Sequence, residues 1–339
     1  MTTRQMTQYR SVWMGIAILW VMYFHGGFPA LGGVMTSIKN AGYGAVDIFM
    51  FAAGLGCYYS YGKSEDSLIF LKRRIRRVLP IYWLFLIPWF YFMYKMNFLS
   101  TSMVVGNLLF VQYFTGKGWE FNWYVAAMWF TYLLTPFFYD IVNGIKSHLK
   151  ALGIVVIMIL MTYPFWDVNM YIIFVTRLPL FFMGMYLASL GEREIKKWHG
   201  ALLLASFVAG CCLLSYVYHF HEPVLWSHGW HWYPFILIVP GLCFLISLVC
   251  FYLDKLMVGR FVVKAFSFVG GYTFELYLMH MLLFKIFGLY GESGELVLTN
   301  TVWLMILGAV LVASAVLAVA SRLLVMGYDK ISMLLNYWL

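Results

Sequence analysis

The chain has 339 residues, of which 63% are hydrophobic, 20% aromatic and 11% charged, and its mean hydropathy is +0.81. Soluble domains carry about 25% charged residues, so this composition excludes a soluble globular protein and points to a polytopic helical membrane protein. The balance of 23 Lys and Arg against 14 Asp and Glu leaves +9, which reads here as loop charge that sets membrane orientation, with no nucleic-acid partner.

The first apolar run, 12–28, follows Arg4 and Arg10 and contains "GIAILWVMYFHGG", with His25 close to its end. Many similar runs follow, so it reads as a retained first span and not as a cleaved leader. The second run, 42–62, carries Asp47 near its start, and the basic stretch "GKSEDSLIFLKRRIRR" comes next. Further runs lie at 79–96, 100–114, 121–141, 150–166, 170–190, 200–219, 233–253, 266–288 and 299–323. Most have the length that crosses a hydrocarbon core of about 30 Å at about 1.5 Å per residue.

The shortest run, "STSMVVGNLLFVQYF", is the doubtful one, and charge arbitrates. If it does not cross, "KSHLK", "EREIKK", "DKLMVGRFVVK" and the tail from Arg322 all fall on the side of Arg4 and Arg10. The opposite loops, 167–170, 220–232 and 291–295, then hold no Lys or Arg. The positive-inside rule makes the basic side cytoplasmic. The expected fold is all-α, one domain over 1–339, with about ten transmembrane helices and one short re-entrant or interfacial helix. Both termini are expected in the cytoplasm. No internal repeat or soluble appendage is visible.

Ionisable groups at membrane depth are costly and mark function by default. They are His25, Asp47, Arg177, Glu275 and His280. His25 and Asp47 sit near the outer ends of neighbouring spans, so a carboxylate that orients an imidazole for base catalysis is one reading. A histidine bonded to a backbone carbonyl at the interface is the plainer one. Arg177, in "TRLPLFFMG", either snorkels to the headgroups or lines a cavity that faces anionic ligand groups. Glu275 and His280 are five residues apart, about 140° around a helix, so they do not share a face. The cluster "KRRIRR" sets topology and binds anionic lipid, or grips phosphate.

Four histidines, His219, His221, His228 and His231, lie in or beside the loop "HFHEPVLWSHGWHW", but their spacing does not suit zinc and no metal is expected. An interfacial belt or a surface on which a sugar ring stacks suits the interleaved tryptophans better. The five cysteines, Cys57, Cys211, Cys212, Cys243 and Cys250, read as small buried hydrophobes.

Six stretches together resemble the acyltransferase-3 family of integral membrane acyltransferases. They are "GIAILWVMYFH", "AVDIFMFAAGLG", "LKRRIRRVLPIYW", "NWYVAAMWFTYLLTP", "RLPLFFMGMYLA" and "GGYTFELYLMH". The resemblance implies transfer of an acyl group, commonly acetyl from acetyl-CoA, to a hydroxyl of an extracytoplasmic carbohydrate. It implies His25 and Asp47 as catalytic, and Arg73, Arg74, Arg76 and Arg77 as the donor's RxxR element, with Arg10 as a further donor contact. Arg177, Glu275, Trp123 and Tyr272 fall in its later motifs, as cavity or acceptor contacts.

Acyl-CoA enters as co-substrate, and no cofactor is permanently bound. The partners are acyl-CoA, a glycan acceptor and membrane lipid, with a second copy of the chain as a candidate. A multi-pass place in the cell's inner membrane is implied. One departure stands out: the family has an arginine eleven residues before the histidine, where this chain has Met14. Arg10 is one turn further down and rotated by about 60° from His25, an imperfect substitute. Ala53 replaces a frequent serine. A glycan or lipid-linked-sugar transporter, and a non-catalytic scaffold, are the competing readings.

Overall fold

Long apolar runs broken by glycine, proline and charge fold as helices, and nearly all of the described chain is helical. The computed structural model describes residues 1–26, 32–115, 123–145, 147–166, 169–220, 228–288 and 300–338. The helices are α1 (Thr3–Thr7), α2 (Arg10–His25), α3 (Gly33–Asn40), α4 (Ala45–Tyr61), α5 (Ser67–Lys95), α6 (Thr101–Leu108) and α7 (Trp123–Gly144). They continue with α8 (His148–Leu160), α9 (Asn169–Val175), α10 (Leu178–Ser189), α11 (Lys197–Phe220), α12 (Tyr233–Leu253), α13 (Met257–Gly271), α14 (Thr273–Ile286) and α15 (Asn300–Trp338). No named strand occurs among the described residues.

Eight segments among them are long and apolar enough to cross a membrane. Large apolar side chains stay exposed on them, such as Leu304 at 69% and Val312 at 65% on α15. In water such faces would aggregate, whereas lipid tails solvate them. The chain is an all-α polytopic membrane protein.

Several expected spans are not single long helices, the run 170–190 among them, which divides into α9 and α10. The run 12–28 yields α2, 16 residues or about 24 Å long. The run 266–288 is divided, because the pair Gly270 and Gly271 closes α13 and α14 begins at Thr273. Glycine is the poorest helix former after proline.

The doubtful run 100–114 forms only α6, whose eight residues span about 12 Å. Ser100 caps its start by accepting from the Met103 N–H at 3.2 Å. The chain then turns back at Phe110, φ 61°, with Gln112 N–H donating to the Gly106 carbonyl at 3.0 Å. Asn107 is fully buried and accepts from the Tyr82 hydroxyl at 3.3 Å, which pins α6 against α5. A helix this short does not cross a 30 Å core. Topology reporters fused after Lys95 and after Thr115 should therefore report the same side. Opposite sides would refute the non-crossing assignment.

The contacts divide the chain into two compact units. The first comprises Met1–Leu19, Tyr43–Ser67 and Trp123–Gly271. Its centre is the pair α4 and α10, flanked by α7 and α12. A Cβ at Gly54 would run into the Phe181 carbonyl, and one at Gly184 into that of Phe51. These two glycines let the backbones touch, the usual device where helices pack inside lipid.

The second unit comprises Trp20–Gly42, Leu68–Asn122 and Tyr272–Leu339, with α14 packed on α15. Trp20 Nε1 donates to the Ile38 carbonyl at 2.6 Å and ties α3 to the end of α2. Cys57, Cys243 and Cys250 are buried as expected, but Cys211 and Cys212 are exposed on α11. These two face outward because α11 buries little of itself against its neighbours.

Candidate active site

In the second unit His25 is the last residue of α2, where "HGG" ends the helix. Its ring is half-buried and lies within 14° of parallel to that of His280, with Nδ1 of His25 3.0 Å from Nε2 of His280. His280 is wholly buried on α14, and its own Nδ1 lies 2.9 Å from the Leu276 carbonyl one turn earlier. Two imidazoles from helices far apart in sequence are thus joined edge to edge. The signal for His280 was present in the sequence, as the final residue of "GGYTFELYLMH", although nothing local said that it would meet His25.

Glu275 lies in the first turn of α14 and is 8% exposed. Arg77 of α5 and Arg322 of α15 supply positive potential at its carboxylate. Arg322 also donates to the Tyr272 hydroxyl at 3.5 Å and lies 5.8 Å from the centre of that ring. Tyr272 and Glu275 of one motif and Arg77 of another therefore fall in one neighbourhood of this unit.

The other arginines of the cluster occupy the first turns of α5 in different ways. Arg76 is ion-paired with Asp329. Arg74 lies over the Phe70 ring at 5.0 Å, and Arg73 Nε donates to the Ile69 carbonyl at 3.3 Å.

In the first unit Asp47 and Arg177 are each 1% exposed and lie opposite one another, Arg177 Nε 3.4 Å from Asp47 Oδ2. The contact is an ion pair without hydrogen-bond geometry: among the described residues neither Asp47 oxygen nor Arg177 Nε has a hydrogen-bond partner. Arg177 occupies the break between α9 and α10, held there by Pro179 in the first turn of α10. Proline is welcome at the start of a helix and not inside one.

The guanidinium donates to the carbonyls of Ile173 and Tyr43, and lies 4.9 Å from the Trp123 ring and 5.8 Å from the Trp232 ring. Arg177 therefore does not snorkel. Its charge is spread over one carboxylate, two carbonyls and two indole faces. Asp47 thus has a cation as neighbour in its unit, and His25 has an imidazole in its own.

Arg10 lines a cleft of about 640 Å³ in the first unit, with Arg4, Leu55, Tyr59 and Glu192. Gly56 makes room for it, because a Cβ there would lie 2.6 Å from the Arg10 guanidinium. Arg4 at the rim is paired with Glu192. The cleft has the size of an ordinary small-molecule site.

Of the loop histidines, His221 lies outside the described residues. The His228 ring stacks on Trp166 at 4.4 Å, and the His231 carbonyl accepts from the Tyr43 hydroxyl at 3.0 Å. Among the described residues no group of three or more His, Cys, Asp or Glu could hold a metal ion.

No curated protein and no solved structure matches the chain. The acyltransferase-3 family model, an acyltransferase domain, matches residues 13–321, from the residue before Met14 to the one before Arg322. With an all-α membrane fold and this match over nearly the whole chain, the protein belongs to the acyltransferase-3 family and is a membrane acyltransferase.

Proposed function

We propose that the protein is an O-acyltransferase of the inner membrane that moves an acyl group, acetyl first among candidates, from cytoplasmic acyl-CoA to a hydroxyl of an extracytoplasmic carbohydrate. The observation that carries this reading is His25, a half-buried imidazole at the end of α2 with one ring nitrogen held by a second imidazole. In the reaction His25 takes the proton of the acceptor hydroxyl as its oxygen attacks the thioester carbonyl. The C–S bond then breaks and the departing thiolate takes the proton back, leaving an ester and a free thiol. Proton transfer by a placed base is worth roughly 10²–10⁴ in rate, and holding two substrates together contributes more.

Two places suit the phosphates of the donor. One is the start of α5, where Arg77 is exposed and Arg76 is paired with a surface carboxylate, that of Asp329. The other is the Arg10 cleft. A charge-assisted phosphate contact is worth roughly 1.5–3 kcal/mol, about tenfold to a hundredfold in affinity. Arg77→Ala and Arg10→Ala, tested separately, should raise the donor's apparent KM by that factor for whichever arginine grips it. If neither changes KM, both placements fail.

The test of the function itself is thiol release from acetyl-CoA by purified protein in detergent, stimulated by added sugar hydroxyls. Movement of a sugar across proteoliposomes without any thiol release would make the transporter reading correct instead.

A further inference from the structure

We infer that His280 is a positioning residue that fixes the tautomer of His25. The inference rests on the reading of His25 as the base, and it concerns how that imidazole is kept basic at the right nitrogen. A carbonyl oxygen carries no proton, so the 2.9 Å contact between His280 Nδ1 and the Leu276 carbonyl places a proton on Nδ1. A neutral imidazole carries one ring proton, so His280 Nε2 is an acceptor. The 3.0 Å contact from that nitrogen to His25 Nδ1 then takes its proton from His25. The same count makes His25 Nε2 the unprotonated nitrogen.

The direction of the whole relay is set by one backbone carbonyl in α14. The opposite arrangement needs His280 as an imidazolium, donating from both nitrogens. His280 is wholly buried, and its nearest ring neighbours are Tyr277, Phe284 and His25. Burying a charge without a countercharge is far costlier than burying the neutral ring.

The relay has a use. Left to itself, a neutral histidine in water favours the proton on Nε2, which would point a donor where the reaction needs an acceptor. Which nitrogen is protonated is set by the hydrogen bond the other one makes. A carboxylate commonly does this by accepting from Nδ1–H. Here a second imidazole does it, and it adds no negative charge beside a base that becomes positive only in passing.

The experiment uses the full-length protein in detergent with two variants. His280→Gln keeps an acceptor oxygen at about the position of Nε2, whereas His280→Phe removes the acceptor and keeps an aromatic ring in the site. His280→Phe should lower kcat roughly 10²-fold, with KM for donor and acceptor nearly unchanged, the pattern of a defect confined to the transition state. His280→Gln should recover most of that loss. In protein with ¹⁵N-labelled histidine, His25 should show a protonated Nδ1 and an unprotonated Nε2 in the wild type. In His280→Phe the proton should move to Nε2.

A wild-type spectrum with the proton on Nε2, or a His280→Phe enzyme with unchanged kcat, would overturn the inference. If His25→Ala itself leaves thiol release intact, it is the assignment of His25 as base that fails, whatever His280 does.

Discussion

His25→Ala should lower thiol release from acetyl-CoA by at least about 10²-fold, with a KM for the donor close to that of the wild type. The side chain is half-buried at a helix end, so truncation removes little packing. Its clearest structural cost is at His280, whose buried Nε2 loses the 3.0 Å contact. An unsatisfied buried acceptor costs about 1–3 kcal/mol, and water entering the space left by the partly exposed ring offsets part of that. The variant should therefore purify like the wild type and unfold only a few degrees earlier. Rates of thiol release and a thermal melt on the same preparation check both halves. Full activity would remove His25 from the chemistry, and a variant that fails to fold would make it a structural residue.

Arg177→Met should destabilise the protein far more than it alters any binding step. Asp47 is 1% exposed and its charged neighbour within the unit is Arg177 at 3.4 Å, so the variant leaves a bare carboxylate in a low-dielectric interior. Breaking a buried pair from one side costs about 3–5 kcal/mol, which corresponds to a fall in Tm of roughly 5–15 °C. Asp47→Asn should cost less, because Arg177 keeps the carbonyls of Ile173 and Tyr43 and the faces of Trp123 and Trp232.

The double variant should be more stable than Arg177→Met alone, since it no longer buries an unpaired charge. Melts of the three variants against the wild type measure the coupling. Additive losses would show that the two side chains act independently and that the 3.4 Å contact carries no energy.

Much of this architecture is written locally. Apolar runs of membrane length, the glycine and proline after His25, and the break marked by Pro179 all act within a few residues of themselves. The short segment at 100–114 was legible from the alternation of charged loops, and the structure supplies its cause, a turn back at Phe110 after only eight helical residues. The site was legible one group at a time. Burial cost singles out His25, Asp47, Arg177, Glu275 and His280, because each is out of place in an apolar run.

Pairing was not legible in that way. Asp47 meets Arg177 and His25 meets His280 across more than a hundred residues of chain, and nothing near either residue encodes its partner. Depth in the membrane, which the sequence does show, fixes only one coordinate, and helix rotation decides which face a side chain presents. The division of the expected span 266–288 depends on a contact as well. Gly270 sits where any Cβ would strike the Ser11 carbonyl, and that close approach is invisible in an apolar pattern.

The measurement that bears most directly on the central claim is the fate of the acyl group. Purified protein in proteoliposomes, supplied with acetyl-CoA labelled in the acetyl carbon and a carbohydrate acceptor, should place the label on the acceptor as a base-labile ester. One thiol should appear for each ester formed, and neither should appear with His25→Ala. Label that stays on the thioester while the carbohydrate crosses the vesicle membrane would contradict the account and make the protein a carrier.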